Sequence, residues 1–216
     1  MTTAGAVEAD AQRVAALALA EDGPCDVTSD ASVVAGQRGV ATIEAREPVV
    51  LAGFAYVDAI VAACGLPSVR WLVREGERVE AGTAIAPISG GLAPILRAER
   101  PLLNVLQRAC GIATLTRTYV DAVSGTSCVV LHTRKTTPGL RRFEIAAVQA
   151  GGGGRHRSDL AQGLLIKDNH WQALRSSGRT VDDALAAAIA RGMTDLFVEV
   201  ESLDQVDTAC AAGATR

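Results

Sequence analysis

Residues 5–91 alternate between helical and strand-like patterns of apolar positions. Residues 5–21 and 55–65 are rich in good helix formers, and each stretch predicts a helix. Residues 39–53 and 68–91 alternate apolar with polar side chains and carry β-branched residues, which is typical of strands. The pattern therefore predicts a helix, strands, a second helix and further strands, in that order.

Turn residues divide these elements. The segment Asp22–Asp30 is dense in them and is predicted to be a loop. Within residues 68–91, glycine-centred turns predict a hairpin. The same segment is similar to one half of a lipoyl-type hairpin sandwich, but no lysine stands at its turn. Attachment of lipoyl or biotin is therefore not supported, and a plain hairpin is favoured.

A long helical pattern follows over residues 97–125 and is predicted to join two parts of the protein. Leu102, Leu106 and Ala109 recur at helical spacing, and Pro101 suits a first helical turn. After this helix, short continuous apolar runs recur about every 35 residues, with helical segments such as 181–192 between them. The runs are residues 127–131, 163–166 and 196–200. This spacing is typical of βα units in a buried parallel sheet.

The amino-acid composition predicts a packed core and argues against binding of nucleic acid. Apolar residues make up 49% of the 216 residues and charged residues 21%, which is enough for a real core. Aromatic residues are only 3%, so few rings are available to stack on nucleobases. The net charge of −3 and the isoelectric point near 5.6 also argue against a nucleic-acid partner.

The cysteines and the N-terminus indicate a cytoplasmic protein. Five scattered cysteines include no C-x-x-C pair, which disfavours a zinc site or a disulfide framework and fits a reducing compartment. Acidic residues interrupt the N-terminal apolar positions, so this segment predicts an amphipathic helix and not a signal peptide. Apolar runs of membrane-spanning length are absent from the sequence.

Ionisable residues follow each of the three short apolar runs. They are His132, Arg134 and Lys135 after the first run, Lys167, Asp168 and His170 after the second, and Glu199 and Glu201 at the third. In parallel β/α barrels the carboxyl ends of the strands share one mouth, so these side chains are expected to converge there. Each motif alone has a commoner structural explanation, such as a solvated pair or a helix cap. Their occurrence at successive strand ends favours function.

A glycine-rich segment adds to this set. Four glycines precede Arg155, His156 and Arg157, and such a loop would let backbone N–H groups approach an anion closely. Several cations facing one cleft predict a ligand with several negative charges, such as phosphates or carboxylates. Glu199 among them suggests a Mg²⁺ contact, a ribose hydroxyl acceptor or stabilisation of a developing cation.

Six motifs together resemble one family. AERPLLN, GIAT, TRKTTPGLR, GGGGRHR, LIKDNH and VEVESLDQ occur in the order and at the spacing found in quinolinate phosphoribosyltransferases. The resemblance implies an α/β fold with an N-terminal α/β sandwich and connecting helix (1–110) followed by an incomplete α/β barrel (111–216) with about three of its strands. It also implies a homodimer. The implied reaction converts quinolinate and phosphoribosyl pyrophosphate to nicotinate mononucleotide, CO₂ and pyrophosphate with Mg²⁺, in de novo NAD biosynthesis.

The resemblance also implies roles for single residues. The substrate-binding positions it carries over are Arg100, Thr133, Arg134, His156 and Arg157, and the catalytic positions are Lys135, Lys167 and Glu199. Of these, Arg134, His156 and Arg157 match the residues that hold the two quinolinate carboxylates. Lys135 and Lys167 match lysines that face the phosphoribosyl donor. Glu199 matches the acidic residue near the ribose and the metal, and Arg100 matches an arginine that reaches the partner subunit's site.

Departures from the family pattern leave alternatives open. His132 stands where the family usually has Asp, EIAAV replaces a segment that usually carries a lysine, and Ser158 follows the HR pair. The alternatives are a non-catalytic carboxylate-binding remnant and the molybdenum-locus paralogue of the same family. Family sequences continue beyond AAGATR, so the 216 residues alone are expected to leave the third strand with an unpaired edge, to be poorly soluble or partly molten in the second half, and to be inactive.

Overall fold

The structure, a computed structural model, describes residues 3–216 and divides into two compact units. The first unit ends at His156, and the second spans Arg157–Arg216. The helices of the first unit are α1 (Thr3–Glu21), α2 (Val27–Ser32), α3 (Phe54–Ala63), α4 (Leu92–Ala122) and α5 (Arg141–Ala150). Its strands are β1 (Arg38–Glu44), β2 (Val49–Val50), β3 (Arg78–Val79) and β4 (Ala84–Gly91). The predicted domain division after residue 110 stays a prediction.

The first unit layers helices against two antiparallel strand pairs. β1 pairs with β4 from Arg38↔Gly91 to Glu44↔Ala84, and β2 pairs with β3. Helix α4 packs on β1, β2 and β4, while α1 and α3 pack on each other. Tyr56, Val57 and Ile60 of α3 are almost fully buried in this core. Burial of these side chains is the main favourable term that holds the layers together.

The predicted helices at 5–21 and 55–65 are confirmed, with small shifts at their ends. The long helix is also confirmed, but it begins at Leu92 and not near Pro101. The prediction that Pro101 occupies a first turn is wrong, because Pro101 lies buried inside the 31-residue helix. The start is fixed by Gly91 as N-cap and by the Leu92 N–H, which donates to Gln37 O at 2.8 Å.

Two predictions on turns are wrong. The segment Asp22–Asp30 is not all loop, because the Asp26 carboxylate accepts hydrogen bonds from the backbone N–H groups of Thr28 and Ser29 and starts α2. Residues 68–91 do not form a hairpin with themselves. The strands β3 and β4 pair instead with β2 and β1, which precede α3 in the chain.

The second unit is built from βα repeats. It contains β5 (Leu164–Ile166), α6 (Asp168–Ser176), α7 (Val181–Ile189), β6 (Leu196–Val198) and α8 (Leu203–Ala211). β5 and β6 pair in parallel, Leu164↔Leu196 to Ile166↔Val198, as predicted. Ile166, Trp171, Leu185 and Leu196 form its separate core. The α/β fold class is confirmed, and among residues 3–216 the strands close no barrel, as expected for an incomplete one.

The first of the three predicted parallel strands is not a strand. Over residues 127–131 the described backbone makes one parallel bridge, Leu131 with Gly154, which the Gly154 N–H supports by donating to Val130 O at 2.7 Å. Val129 is exposed, so the apolar run is not buried on both faces as a central strand would be.

The outer edge of β6 has no neighbouring strand among the described residues, as expected, but it is bonded at one residue, Arg216. The Arg216 N–H donates to Leu196 O at 3.2 Å, and the Val198 N–H donates to Arg216 O at 3.1 Å. This is the bonding pattern of a parallel pair. The Arg216 guanidinium lies 5.5 Å from the centre of the Phe197 ring.

The length of the helices and the state of the cysteines complete the description of the fold. In the described part of the chain no helix is both long and apolar enough to cross a bilayer. All five cysteines carry free thiols, and Cys110 is the buried one among them.

Candidate active site

A tight turn presents the Arg–Lys pair that follows Leu131. The Thr133 hydroxyl oxygen accepts a hydrogen bond from the Lys135 N–H at 3.0 Å, which fixes the backbone around Arg134. Lys135 is exposed, whereas Arg134 is half-buried. The Nε atom of Arg134 is buried and has no hydrogen-bond partner among the residues that the structure describes. A buried donor without an acceptor is costly, so this turn is suited to an incoming oxyanion.

Two residues that the sequence did not single out, Arg108 and Glu144, hold the segment that follows this turn at Thr137. The Glu144 carboxylate, on α5, accepts hydrogen bonds from Arg108 on α4 at 2.6 Å and from the Thr137 hydroxyl at 2.7 Å. Its other oxygen accepts from the Thr137 N–H at 3.3 Å. A signal for this anchor was present, because Glu144 stands next to Phe143 and three positions before Ala147 on the buried face of its helix.

His132 connects the Arg–Lys turn to the segment after the glycines. The residue is only 6% exposed, and its Nε2 atom accepts a hydrogen bond from the His156 N–H at 3.1 Å. Its Nδ1 atom lies 3.4 Å from the Thr133 carbonyl oxygen. The rings of His132 and His156 meet edge to face at 6.4 Å. The first unit thus brings His156 close to the turn that carries Arg134.

The four glycines do not form an anion cradle, and that hypothesis is wrong. All four backbone N–H groups donate within the chain, to the carbonyl oxygens of Ala147, Gln149, Val148 and Val130 in order. The glycines are needed for close packing instead. A Cβ atom at Gly151 would lie 2.5 Å from the Ala113 carbonyl oxygen, and one at Gly154 would lie 2.7 Å from a Val129 methyl carbon. Arg117 reinforces this contact by donating to Gly151 O at 3.0 Å.

In the second unit, Lys167 and Glu199 follow the ends of the paired strands β5 and β6. The Lys167 Nζ atom lies 3.4 Å from the Glu199 carboxylate, and the side chains are 42% and 55% exposed. The Glu199 N–H donates to Ile166 O at 2.9 Å and continues the ladder by one residue. The convergence expected at the carboxyl ends of parallel strands is therefore present for this pair.

Helix α6 positions both members of the pair. Lys167 is its N-cap residue, and the Lys167 N–H donates to His170 Nδ1 at 3.1 Å. One residue on, the buried Trp171 donates its indole N–H to the Glu199 carbonyl oxygen at 3.0 Å. The sequence suggested that this motif could cap a helix, but it gave no indication that Trp171 reaches Glu199.

The remaining candidate residues lie elsewhere. Arg157, half-buried, lines a cleft of about 390 Å³ in the second unit, together with His170, Leu164 and mostly apolar side chains. Neither Lys167 nor Glu199 lines this cleft. Arg100 is exposed on α4. Each unit therefore gathers its own subset of the predicted site, Thr133–Lys135 with His156 in the first and Lys167 with Glu199 in the second.

A preformed metal cage is not part of the described structure. Within residues 3–216, no three His, Cys, Asp or Glu side chains are grouped closely enough to hold a metal ion. Glu199 offers a single exposed carboxylate.

The family profile for the quinolinate phosphoribosyl transferase N-terminal domain matches residues 26–110, and the profile for its C-terminal domain matches residues 112–215. The nicotinate-nucleotide pyrophosphorylase [carboxylating] of Mycobacterium leprae is 38% identical over 190 residues, 86% of this chain and 66% of the relative. A chloroplastic enzyme of the same name from Arabidopsis thaliana is 39% identical over 204 residues, 91% of this chain and 57% of the relative.

Solved structures agree with the sequence matches. The nicotinate-nucleotide pyrophosphorylase from Francisella tularensis superposes with a TM-score of 0.88 at 31% identity, over 96% of this chain and 73% of that one. The chain spans 66% of the length of the Mycobacterium leprae relative and 57% of the length of the Arabidopsis thaliana relative. Both domain profiles and the fold match the same family, and the chain belongs to the quinolinate phosphoribosyltransferase family.

Proposed function

We propose that this protein transfers a phosphoribosyl group from phosphoribosyl pyrophosphate to quinolinate with decarboxylation, as a pentosyltransferase of pyridine nucleotide biosynthesis. The products are nicotinate mononucleotide, CO₂ and pyrophosphate. The observation that carries the proposal is the Lys167–Glu199 pair at adjacent parallel strand ends of a member of this family. Such a pair combines a cation for phosphate oxygens with a carboxylate for a ribose or a developing positive charge.

Quinolinate is a rigid dianion with two neighbouring carboxylates. Arg134, His156 and Arg157 are proposed as their ligands, with the Thr133 turn holding Arg134 in place. The buried Nε atom of Arg134 supports this assignment, because a carboxylate oxygen would supply the acceptor that the described residues do not. Guanidinium–carboxylate hydrogen bonds are short and strong, particularly where water is excluded.

Lys135 and Lys167 are proposed to face the donor's phosphates, and Glu199 its ribose. The pyridine nitrogen attacks the anomeric carbon as pyrophosphate leaves, through an oxocarbenium-like state. Loss of CO₂ from the adjacent carbon leaves a carbanion that the cationic ring nitrogen stabilises and that then takes up a proton. The protein's part is to position and neutralise the reactants, so the reaction requires no nucleophilic side chain.

Mg²⁺ would neutralise the donor's pyrophosphate when it is bound, and Glu199 is the residue proposed to contact it. The exposed carboxylate fits this role, because Mg²⁺ in such sites uses one or two carboxylates and the substrate's own oxygens. The neighbouring Lys167 ammonium limits the negative charge that Glu199 can offer on its own.

The remaining parts of the proposal concern the assembly and its setting. The protein is proposed to act as a homodimer in which Arg100 serves the partner's site, without nucleic acid or membrane. A cytoplasmic location is proposed from the five free thiols, which fit a reducing compartment.

The test is calorimetry on the product of the complete open reading frame, first with quinolinate and then with the donor and Mg²⁺, followed by assay of pyrophosphate release. Arg134→Ala is expected to weaken quinolinate binding about 10- to 100-fold, because it removes charged hydrogen bonds. Arg142→Ala, an exposed arginine on α5, is the matched control and should bind like the wild type.

The outcomes separate the alternatives. Quinolinate binding with donor-dependent pyrophosphate release supports the enzyme. Quinolinate binding without turnover at any donor concentration supports the non-catalytic carboxylate-binding protein. Absence of quinolinate binding, in protein shown to be folded, overturns both and leaves a paralogue with a different substrate.

A further inference from the structure

His132 is the most buried titratable residue of the Arg–Lys turn. Only 6% of the residue is exposed, although it directly precedes three residues proposed to contact substrate or to shape their turn. It lies beside the Leu131–Gly154 bridge, where the backbone of the turn meets the segment that ends the glycine run. Its ring hydrogen-bonds to both segments, through His156 N–H on one side and Thr133 O on the other.

These two contacts fix the tautomer of the ring. A backbone N–H can only donate, so the Nε2 atom facing His156 must carry a lone pair. The proton then resides on Nδ1, which lies 3.4 Å from the Thr133 carbonyl oxygen and can donate to it. Both contacts are satisfied by the neutral imidazole, whereas a proton on Nε2 would remove the acceptor for His156.

The surroundings of the ring also favour the neutral form. His156 and Arg155 face His132 from the segment after the glycines. Burial lowers the pKa of His132 below 6.5, and the positive charge of Arg155 acts in the same direction, which together outweigh the opposing hydrogen bond with Thr133 O. The neutral form is therefore the one present at physiological pH.

We propose that His132 is a positioning residue of the quinolinate site, where its neutral ring pins the Thr133–Lys135 turn to His156 and so sets the spacing between Arg134 and His156. The inference rests on the proposed function, which assigns these two side chains to the substrate carboxylates. The physical reason is the rigidity of the ligand. The two carboxylates stand on adjacent atoms of an aromatic ring, so their separation is fixed. The side chains that bind them must therefore also be held at a fixed separation.

Two substitutions of His132 separate this role from simple core packing. In His132→Gln the amide oxygen can occupy the place of Nε2 and accept from the His156 N–H, and the side chain does not titrate. In His132→Asn the shorter side chain can still reach Thr133 O but cannot reach the His156 N–H. The two variants are both neutral amides, and they differ mainly in whether the link to His156 is kept.

The quinolinate dissociation constant is measured by calorimetry at pH 8 and at pH 5.5. At pH 8, His132→Gln is expected to bind within about threefold of the wild type and His132→Asn about tenfold more weakly, with little change in the donor's KM. At pH 5.5 the wild type is expected to lose more affinity than His132→Gln. His156 is present in both proteins, so the difference between their profiles reports on His132.

Nitrogen-15 NMR of the histidine rings gives a second readout that needs no turnover. The expected spectrum shows His132 protonated on Nδ1 at pH 8. An Nε2-protonated ring, or equal quinolinate affinity of the Gln and Asn variants, would overturn the positioning role. Failure of the wild type to bind quinolinate would instead count against the proposed function, so the two failures are distinguishable. If His132→Asn does not fold, the tautomer of the wild-type ring and the pH profile of His132→Gln still test the positioning role.

Discussion

Glu144 is a buried carboxylate that accepts hydrogen bonds from Thr137, two residues after Lys135. Its side chain is 11% exposed, and Arg108 and Thr137 donate to it. Burial acts to raise the pKa of Glu144, but the hydrogen bonds from Arg108 and Thr137 outweigh burial and hold the pKa below 4.5. A depressed carboxyl pKa means that the folded state favours the ionised form. This contribution to stability is present above about pH 4.5 and is lost as the pH falls through the folded-state pKa.

We therefore predict that Glu144→Gln lowers the free energy of unfolding by about 1–3 kcal/mol at pH 7, because a buried hydrogen-bonded charge is removed and its partners lose an acceptor. The difference from the wild type should narrow as the pH is lowered towards 3.5. Denaturant unfolding at several pH values measures both effects.

Glu99→Gln is the matched control for this substitution, since Glu99 is exposed on the same helix as Arg108. It is expected to change stability by less than about 0.5 kcal/mol. A Glu144→Gln penalty that stays constant from pH 7 to pH 3.5 would contradict the assignment of the effect to the ionised carboxylate.

At the scale of elements, the close approach of α4 and α5 depends on a residue without a side chain. Gly151 is the C-cap residue of α5, and a Cβ atom there would lie 2.5 Å from Ala113 O and 2.7 Å from Thr116 Cβ, both on α4. Gly111 lies on the same long helix but is exposed, with nothing within 4 Å of a Cβ atom. A methyl group is therefore expected to clash at Gly151 and to be tolerated at Gly111.

Gly151→Ala is predicted to destabilise the protein by about 1–3 kcal/mol through overpacking between the two helices. Gly111→Ala, the matched control, is predicted to stabilise it by about 0.5–1 kcal/mol, because alanine loses less backbone entropy in a helix. Thermal and denaturant unfolding of the two variants compares them directly. Equal effects of the same sign would show that α4 and α5 are not held at this separation.

Helix α6 offers a second element-scale prediction. Its Trp171 is the side chain that holds the backbone of Glu199. Trp171→Phe keeps an aromatic ring in the core but removes the N–H donor. Under the proposed function, the KM for the donor should rise about fivefold and the quinolinate dissociation constant should change by less than about twofold.

Trp71→Phe is the matched control, because Trp71 belongs to the first unit and stacks on Phe54. It should leave both constants unchanged within about twofold. Steady-state kinetics with each substrate varied in turn gives the comparison. An equal loss for both substrates in Trp171→Phe would indicate general damage to the fold and not a role for α6 in the donor site.

At the scale of the whole molecule, the family resemblance predicts sites shared between subunits. Arg100 is exposed on α4. A residue that contributes to the partner subunit's site must be exposed in the isolated subunit. If it reaches the partner's site, Arg100→Ala and Lys135→Ala subunits are each inactive alone but complement each other. A one-to-one mixture should recover about a quarter of wild-type activity, since half of the dimers are mixed and each has one intact site.

The mixing experiment uses the complete open reading frame, and native mass spectrometry of differently tagged subunits verifies that mixed dimers form. Recovery near a quarter places Arg100 and Lys135 in the same site from different subunits. No recovery in a sample that contains mixed dimers would mean that Arg100 serves its own subunit.

The sequence by itself determined the elements and residues whose signal is local. The helices at 5–21 and 181–192 follow from helical spacing and good helix formers, and β5 and β6 follow from short apolar runs between helices. Motifs such as TRKTTPGLR and LIKDNH are contiguous, so they identified the family before any contact was known. Helix and strand periodicity depend on neighbours a few residues apart, and a linear pattern contains that information.

Tertiary structure decided which segments meet. It paired β4 with β1 instead of β3, left residues 127–131 outside a regular strand, and used the glycine N–H groups within the chain. It also joined Arg108 to Glu144, 36 residues apart, and His132 to His156, 24 residues apart. These contacts depend on how the packed layers fill space and satisfy buried polar groups, and no local pattern of residues records that balance.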